Sequence, residues 1–357
     1  TTVMVVGFVN SGIMKLSQAV SIIMGANIGT TMTAWILSLT SIEGDSVFMQ
    51  LLKPTNFTTI LALVGVIFIM FLKSEKKKNL GMIFVGFSIL MVGMDTMSGA
   101  VEGLRDVPAF TNILLMFSNP ILGMLAGAVL TAIIQSSSAS VGILQSLAVA
   151  GLIPFNSAVY IIMGQNIGTC VTAMLSSMGA KKNAKTAAIM HLLFNIIGTV
   201  IFSIAAIAFF QIANPAWGRG MITATQISTV HTAFNIATTV LLFPASSLII
   251  KLAKKIGGVN DEVTDDSVVS LDDRMLQTPT IALQATMHEV GRMADLVKDT
   301  LDVARRVLFT KTNEDIHLLR DDEDKVDKLC AGITEYAIKI TRLQISDREH
   351  ENVARLL

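Results

Sequence analysis

The stretch TAIIQSSSASVG, residues 131–142, sets an amide and four hydroxyls, Gln135, Ser136, Ser137, Ser138 and Ser140, into six consecutive positions of an otherwise apolar run. None of these side chains carries a charge, so the chemistry on offer is neutral: N–H and O–H groups that donate to an anion, and oxygens that coordinate a hard cation. A second polar set, GQNIGT, supplies Gln165, Asn166 and Thr169, and a third, GANIGT, supplies Asn27, Thr30 and Thr31. Glycines flank both sets and permit unwinding and close approach. A serine nucleophile would need a base. His191 and His231 are the only histidines of the apolar part, and no Gly-x-Ser-x-Gly elbow or zinc-type histidine pair accompanies them, which weighs against an enzyme embedded in the membrane.

The elements that must position these residues follow from composition. A hydrophobic fraction of 52%, a charged fraction of 15% and a mean hydropathy of +0.62 exclude a soluble domain of 357 residues. Cys170 and Cys330 are too few and too far apart for a disulfide framework or thiolate metal site, and the twenty methionines read as packing or lipid-facing residues. Residues 1–256 carry 14 Lys/Arg against 6 Asp/Glu, whereas residues 257–357 carry 13 against 21. The first part holds apolar runs at 19–38, 57–72, 80–101, 112–134, 155–178, 188–213 and 222–250, each near the roughly 20 residues that cross ~30 Å of hydrocarbon. Residues 257–279 read as an acidic linker, and 280–357 as a soluble helical module.

The first part contains a duplication. AVSIIMGANIGTTMTA, residues 19–34, returns as AVYIIMGQNIGTCVTA, residues 158–173, identical at twelve of sixteen positions with an offset of 139. The same offset pairs Gly12 with Gly151, Asn56 with Asn195, and Thr1 with Ser140. The chain therefore starts just after the position of a first Gln/Ser-rich motif, and a preceding segment ending in one is expected in the full-length protein.

Lys-rich loops at 73–78, 181–185 and 251–255 belong on the cytoplasmic side. Counting spans back from them makes the two copies run in opposite directions, an inverted repeat of the kind that builds alternating access around a midplane site. The same count makes residues 112–151 leave and re-enter on one face. A re-entrant hairpin broken near Gln135–Ser138 satisfies this, and so do two full crossings joined there. A break at membrane depth is tolerated only where the freed backbone groups line a cavity or are buried in protein. The start of the second arm, near Ser138, would face an anion, and the end of the first would offer carbonyls to a cation. Against this stands the ordinary role of membrane Ser and Thr, which bond to their own helix or join two helices for about 1 kcal/mol or less each. Packing accounts for small residues but not for a symmetric polar cluster.

Other residues carry smaller signals. Asp95 is the only acid deep in a span and is a candidate for binding a cation or proton, although a position near the helix end allows water or a cap to satisfy it. His191/Asn195 and His231/Asn235 repeat an HxxFN spacing suited to interhelical hydrogen bonds. Trp35, Tyr160 and Trp217 near span ends fit the interfacial belt. In the tail, Met287 to Leu308 and Val326 to Leu343 show two amphipathic helices of an antiparallel bundle, and SDRE at 346–349 has the spacing of a capping box that opens a third.

QSSSA, the following GQNIGT and HLLFN at 191–195 together resemble the sodium/phosphate cotransporter family, in the bacterial branch with a C-terminal PhoU-like domain. The resemblance covers nearly the whole chain. It implies an all-α polytopic membrane protein with inverted repeats and re-entrant hairpins, followed by a soluble helical bundle segment. It implies sodium-coupled uptake of inorganic phosphate, with sodium ions and no organic cofactor. Phosphate would meet Gln135, Ser136, Ser137, Ser138, Asn166, Thr169, Asn27 and Thr30; sodium would meet Gln135, Ser136, Ser138, Gln165, Thr31 and Asp95. Acidic residues four apart in the PhoU-like part, Glu323 and Asp327, would hold a metal, unless they are simply the solvated acidic start of a helix. A multi-pass place in the bacterial inner membrane, a cytoplasmic tail, lipid as partner, a homo-oligomer through the tail and no nucleic acid are the corresponding expectations. The spacing alone leaves phosphate open against another anion, sodium against proton, and a carrier against a signalling membrane protein that displays the tail.

Overall fold

The structure, a computed structural model, describes residues 1–39, 54–259, 271–310, 316–343 and 345–356. Its helices are α1 (Thr2–Asn10), α2 (Leu16–Ser38), α3 (Pro54–Phe71), α4 (Glu75–Glu102), α5 (Pro108–Met116), α6 (Pro120–Ile134), α7 (Ser137–Val149), α8 (Phe155–Gly168), α9 (Cys170–Ser176), α10 (Lys182–Ile212), α11 (Ala224–Leu242), α12 (Ser246–Gly257), α13 (Pro279–Thr310), α14 (Ile316–Thr341) and α15 (Asp347–Ala354). The protein is all-α, with no strand among the described residues, and α2, α4, α8 with α9, and α10 are long and apolar enough to cross a membrane.

Two expected spans are divided. The run 112–134 is split into α5 and α6, which meet at 104°. Pro120 suits a helix start, and the Asn119 side chain caps it by accepting the N–H groups of Ile121 and Leu122. The run 222–250 is interrupted after Leu242 because Pro244 cannot continue a helix, and α12 begins afresh with Lys254 and Lys255 in its last turn.

The duplication is visible in the backbone. Gly12 and Gly151 both take left-handed φ, +78° and +67°, at the turns that precede α2 and α8. Ala34, late in the first copy, shares a core cluster with Ala158, Ile161 and Ile162, early in the second. Opposed copies give that pairing. The Asn56 side chain lies outside the described residues, as do 260–270 of the expected linker.

Contacts divide the chain into two compact units whose boundaries differ from a divide at Gly257. The larger comprises residues 23–175 and 191–249. In it α3 and α4 form an antiparallel hairpin crossing at Gly65 and Gly81, where a Cβ on either would lie 2.7 Å from the other's carbonyl oxygen. The second comprises residues 1–22, 176–190 and 250–357. There α13 and α14 pair through Leu283, Ala285, Tyr336, Ala337 and Ile340, and α15 opens with the expected capping box between Ser346 and Glu349.

Candidate functional site

The Gln/Ser motif forms the tip of a helical hairpin. α6 ends at Gln135, whose φ of +56° puts a non-glycine residue in the left-handed region, a conformation that costs ~1–2 kcal/mol. Ser136 then caps α7, its Oγ accepting the Ala139 N–H at 3.2 Å. Ser137 and Ser138 form the first turn, half-buried, where the leading N–H groups of any helix have no partner within it. With 15 and 13 residues, the arms span ~22 and ~20 Å at 1.5 Å per residue, short of a ~30 Å core. Arms of that length fit the re-entrant arrangement, one of the two that the sequence permits.

Backbone contact holds the hairpin to the second Asn-Ile-Gly-Thr copy. A Cβ at Gly127 would fall 2.1 Å from the Ile161 oxygen, at Gly164 1.9 Å from that of Met124, and at Gly168 2.4 Å from that of Ala128. α6 and α8 therefore run side by side in parallel, each with a small-residue ridge, the packing that membrane helices favour. Behind the tip, Thr131 Oγ1 donates to Ser140 Oγ at 2.8 Å, and Gln165 Nε2 donates to the Ser140 carbonyl at 3.0 Å and to its Oγ at 2.9 Å. Gln165 Oε1 remains buried without a partner.

The remaining expected residues sort by what their protons do. Thr30, Thr31 and Thr169 donate to the carbonyls of Ala26, Ile28 and Gln165, and Asn166 Nδ2 donates to that of Ile162, all within their own helices. Their oxygens stay available as acceptors, but these protons are spent. Asn27 is buried in α2 with Nδ2 unpartnered, which makes it a donor without an acceptor. Asp95 is exposed on α4, whereas Met91 and Met94 of the same helix are buried with Leu37.

Two groups went unnoticed in the sequence. Gln145 Nε2 donates to the Ala34 carbonyl and Ser228 Oγ, each at 3.0 Å, and Ser228 donates to Ala34 at 2.8 Å, tying α7, α2 and α11 together. A lone amide inside VGILQSLAV was the available signal. Asn195 Nδ2 reaches Cys170 Sγ at 3.3 Å, the interhelical bond that the HxxFN spacing suggested.

The second unnoticed group is an Asp272 junction in the second unit, within what reads as linker. Asp272 accepts from Asn10 Nδ2 at 2.8 Å, from the Arg274 backbone at 2.9 Å and from Arg274 Nε at 2.7 Å, while Tyr336 donates to its carbonyl at 2.6 Å. Arg274 also donates to the Ser176 carbonyl. Burial pushes the Asp272 carboxyl up, but the hydrogen bonds and charge of Arg274 outweigh it and hold the group below the usual aspartate value. Glu323 and Asp327 stand exposed on α14, and among the described residues no three His, Cys, Asp or Glu side chains converge to hold a metal. Spacing along one helix supplies two ligands; a third needs another element.

Residues 1–99 and 107–236 match the Na+/Pi-cotransporter family, and residues 290–357 match the PhoU domain. The YjbB proteins of Salmonella typhimurium and Escherichia coli, whose names assign them inorganic phosphate export, are 26% and 25% identical over 100% of this chain. The chain spans 63% of their length. The uncharacterized protein YqeW of Bacillus subtilis is 29% identical over 70% of this chain and 76% of its own. The sodium-dependent phosphate transport protein 2A of Rattus norvegicus is 38% identical over 25% of this chain and 15% of its own. No solved structure matches.

Proposed function

The chain belongs to the Na+/Pi-cotransporter family, and from that premise we propose that it carries inorganic phosphate across a membrane, coupled to sodium, by alternating access between its inverted copies. The observation that carries this reading is the hairpin tip, where the α7 start, with Ser137 and Ser138, is a ready anion site braced from behind by Gln165. No Lys or Arg lies within the apolar runs. The charge of phosphate must then be met by helix ends and co-bound cations, and that makes ion coupling obligatory. Donors and acceptors divide accordingly: Asn27 Nδ2 and the hydroxyls of Ser137 and Ser138 suit phosphate oxygens, while Gln165 Oε1 and the lone pairs of Thr30, Thr31 and Thr169 suit sodium.

A carrier of this kind is reversible, so the gradients set the direction. An inward sodium gradient gives uptake; the export in the names of the YjbB relatives corresponds to the opposite balance. The Lys-rich loops put the PhoU-matching tail in the cytoplasm, consistent with a bacterial inner membrane.

The test is labelled phosphate in proteoliposomes containing the full-length protein. Accumulation that requires an imposed sodium gradient, and falls at least tenfold in Ser137→Ala, is expected. Flux indifferent to sodium, or an unchanged Ser137→Ala, overturns the reading. Phosphate-ester hydrolysis without accumulation would point to the enzyme class instead.

A further inference from the structure

α11 carries a polar stripe, Ser228, His231, Asn235 and Thr238, every member more than nine-tenths buried. Ser228 is satisfied by Ala34 and Gln145. The other three are not: His231 Nδ1, Asn235 Oδ1 and Thr238 Oγ1 are all buried without a hydrogen-bond partner, and Thr239 Oγ1 beside them is too.

A hydrogen bond fixes which end of the Asn235 amide is open. Asn235 Nδ2 donates to the His231 carbonyl at 2.9 Å, which only the amide nitrogen can do, so the free end is an acceptor. Thr229 and Thr232 on the same helix donate to the carbonyls four residues back, at 2.9 and 2.8 Å, whereas Thr238 does not. Its methyl faces α10, because a Cβ on Gly198 would lie 2.4 Å from Thr238 Cγ2. Helix packing explains the methyl. It does not explain unspent oxygens on successive turns, each of which loses ~1–3 kcal/mol when desolvated unpaired.

Depth gives the stripe its meaning. α8 and α11 start from one bridge, with Phe155 N–H donating to Gly220 and Ile222 N–H to Ile153. They then run in parallel, so that Val159 and Met163 share a cluster with Val230 and Phe234. Asn235 is thereby level with Gly164 and Gln165, at the depth of the second Asn-Ile-Gly-Thr copy. The open set is neutral, an amide oxygen, a hydroxyl and an imidazole nitrogen with no carboxylate, and its oxygens suit a monovalent alkali cation better than a divalent one.

We propose that Asn235 and Thr238 of α11, with His231 one turn earlier, form a sodium-binding position separate from the hairpin tip. The choice of sodium rests on the coupling ion proposed above. Backbone carbonyls or water complete the shell.

Trp35 is a built-in reporter, since its Nε1 donates to Thr232 Oγ1 at 2.9 Å, one residue from His231. With Trp217→Phe it becomes the only tryptophan of this sequence, which has two. Trp35 emission of the purified protein, in a version otherwise free of tryptophan, is titrated with sodium chloride against choline chloride, without phosphate. A saturable sodium response is expected in the parent. Thr238→Val keeps the methyl against Gly198 and removes only the oxygen; it and Asn235→Leu should each raise half-saturation at least tenfold, and Thr238→Ser should restore it. Thr229→Val, exposed on the same helix, should titrate like the parent. A parent that ignores sodium, variants that titrate like the parent, or an equal loss in Thr229→Val each overturn the proposal. The readout contains no phosphate, so a failure of phosphate transport leaves it intact and the two readings fall separately.

Discussion

The two units treat buried polarity in opposite ways. In the unit of residues 23–175 and 191–249, Asn27, Gln145, Ser157, Gln165, His191, His231, Asn235, Thr238 and Thr239 all bury a side-chain polar atom without a partner. In the other unit no such atom occurs among the described residues, and its buried charges are paired: Asp272 with Arg274, and Glu289 with Arg292 at 2.6 Å. The difference teaches where to look for a ligand. A closed network has the marks of architecture, whereas open polar atoms in a low-dielectric interior imply something that enters and leaves.

The largest expected effect tests whether the open unit depends on backbone contact. Gly164→Ala drives a Cβ into the Met124 carbonyl and should destabilise by about 3 kcal/mol, seen as loss of monodisperse protein in size-exclusion chromatography. Gly99→Ala meets nothing within 4 Å and should be silent. If both behave alike, the α6–α8 contact is not what organises the hairpin.

Next comes the separation of strain from function at the tip. Gln135→Gly removes a side chain from a left-handed position and should raise stability by about 1 kcal/mol. Phosphate flux should nevertheless fall at least tenfold. Retained flux would mean that the amide serves only the turn.

The closed unit should respond through stability and pH rather than transport chemistry. Asp272→Ala should cost about 2 kcal/mol, read as faster proteolysis around residues 271–277 at neutral pH. Because the Asp272 carboxyl is held below its ordinary value, its contribution is complete above about pH 3.9 and is lost as pH falls through the lower folded value. Cleavage of the parent should therefore stay flat from neutral down to that region and rise below it, and Asp272→Asn should abolish the acid-dependent rise. The smallest effect belongs to Arg305→Ala, whose pair with Asp302 is exposed on both sides; a change above about 0.5 kcal/mol in thermal unfolding would contradict the assignment of that surface as solvated.

Much of this was readable from one dimension. Hydropathy located the helices, and the offset of 139 tied Gly12 to Gly151 before their shared left-handed turn was seen. The capping box at Ser346 and Glu349 formed as its spacing indicated. Breaks at Asn119–Pro120 and Pro244 were missed because an apolar run looks continuous until a proline and its cap are weighed together. Asp272 was lost within an acidic stretch, since charge density gives no hint of which carboxylate meets an arginine.

By itself, then, the order of residues determined the class of molecule, the duplication, the opposed directions of its halves and the polar motif at the break, because these rest on local chemistry and on counting. Only the tertiary structure decided that Ser140 and Gln165 brace the tip, and that α11 leaves Asn235 and Thr238 open. Those outcomes depend on which faces meet across 25 residues of chain for Ser140 and Gln165, and across longer stretches elsewhere. No local preference encodes that, and close packing of glycine ridges does.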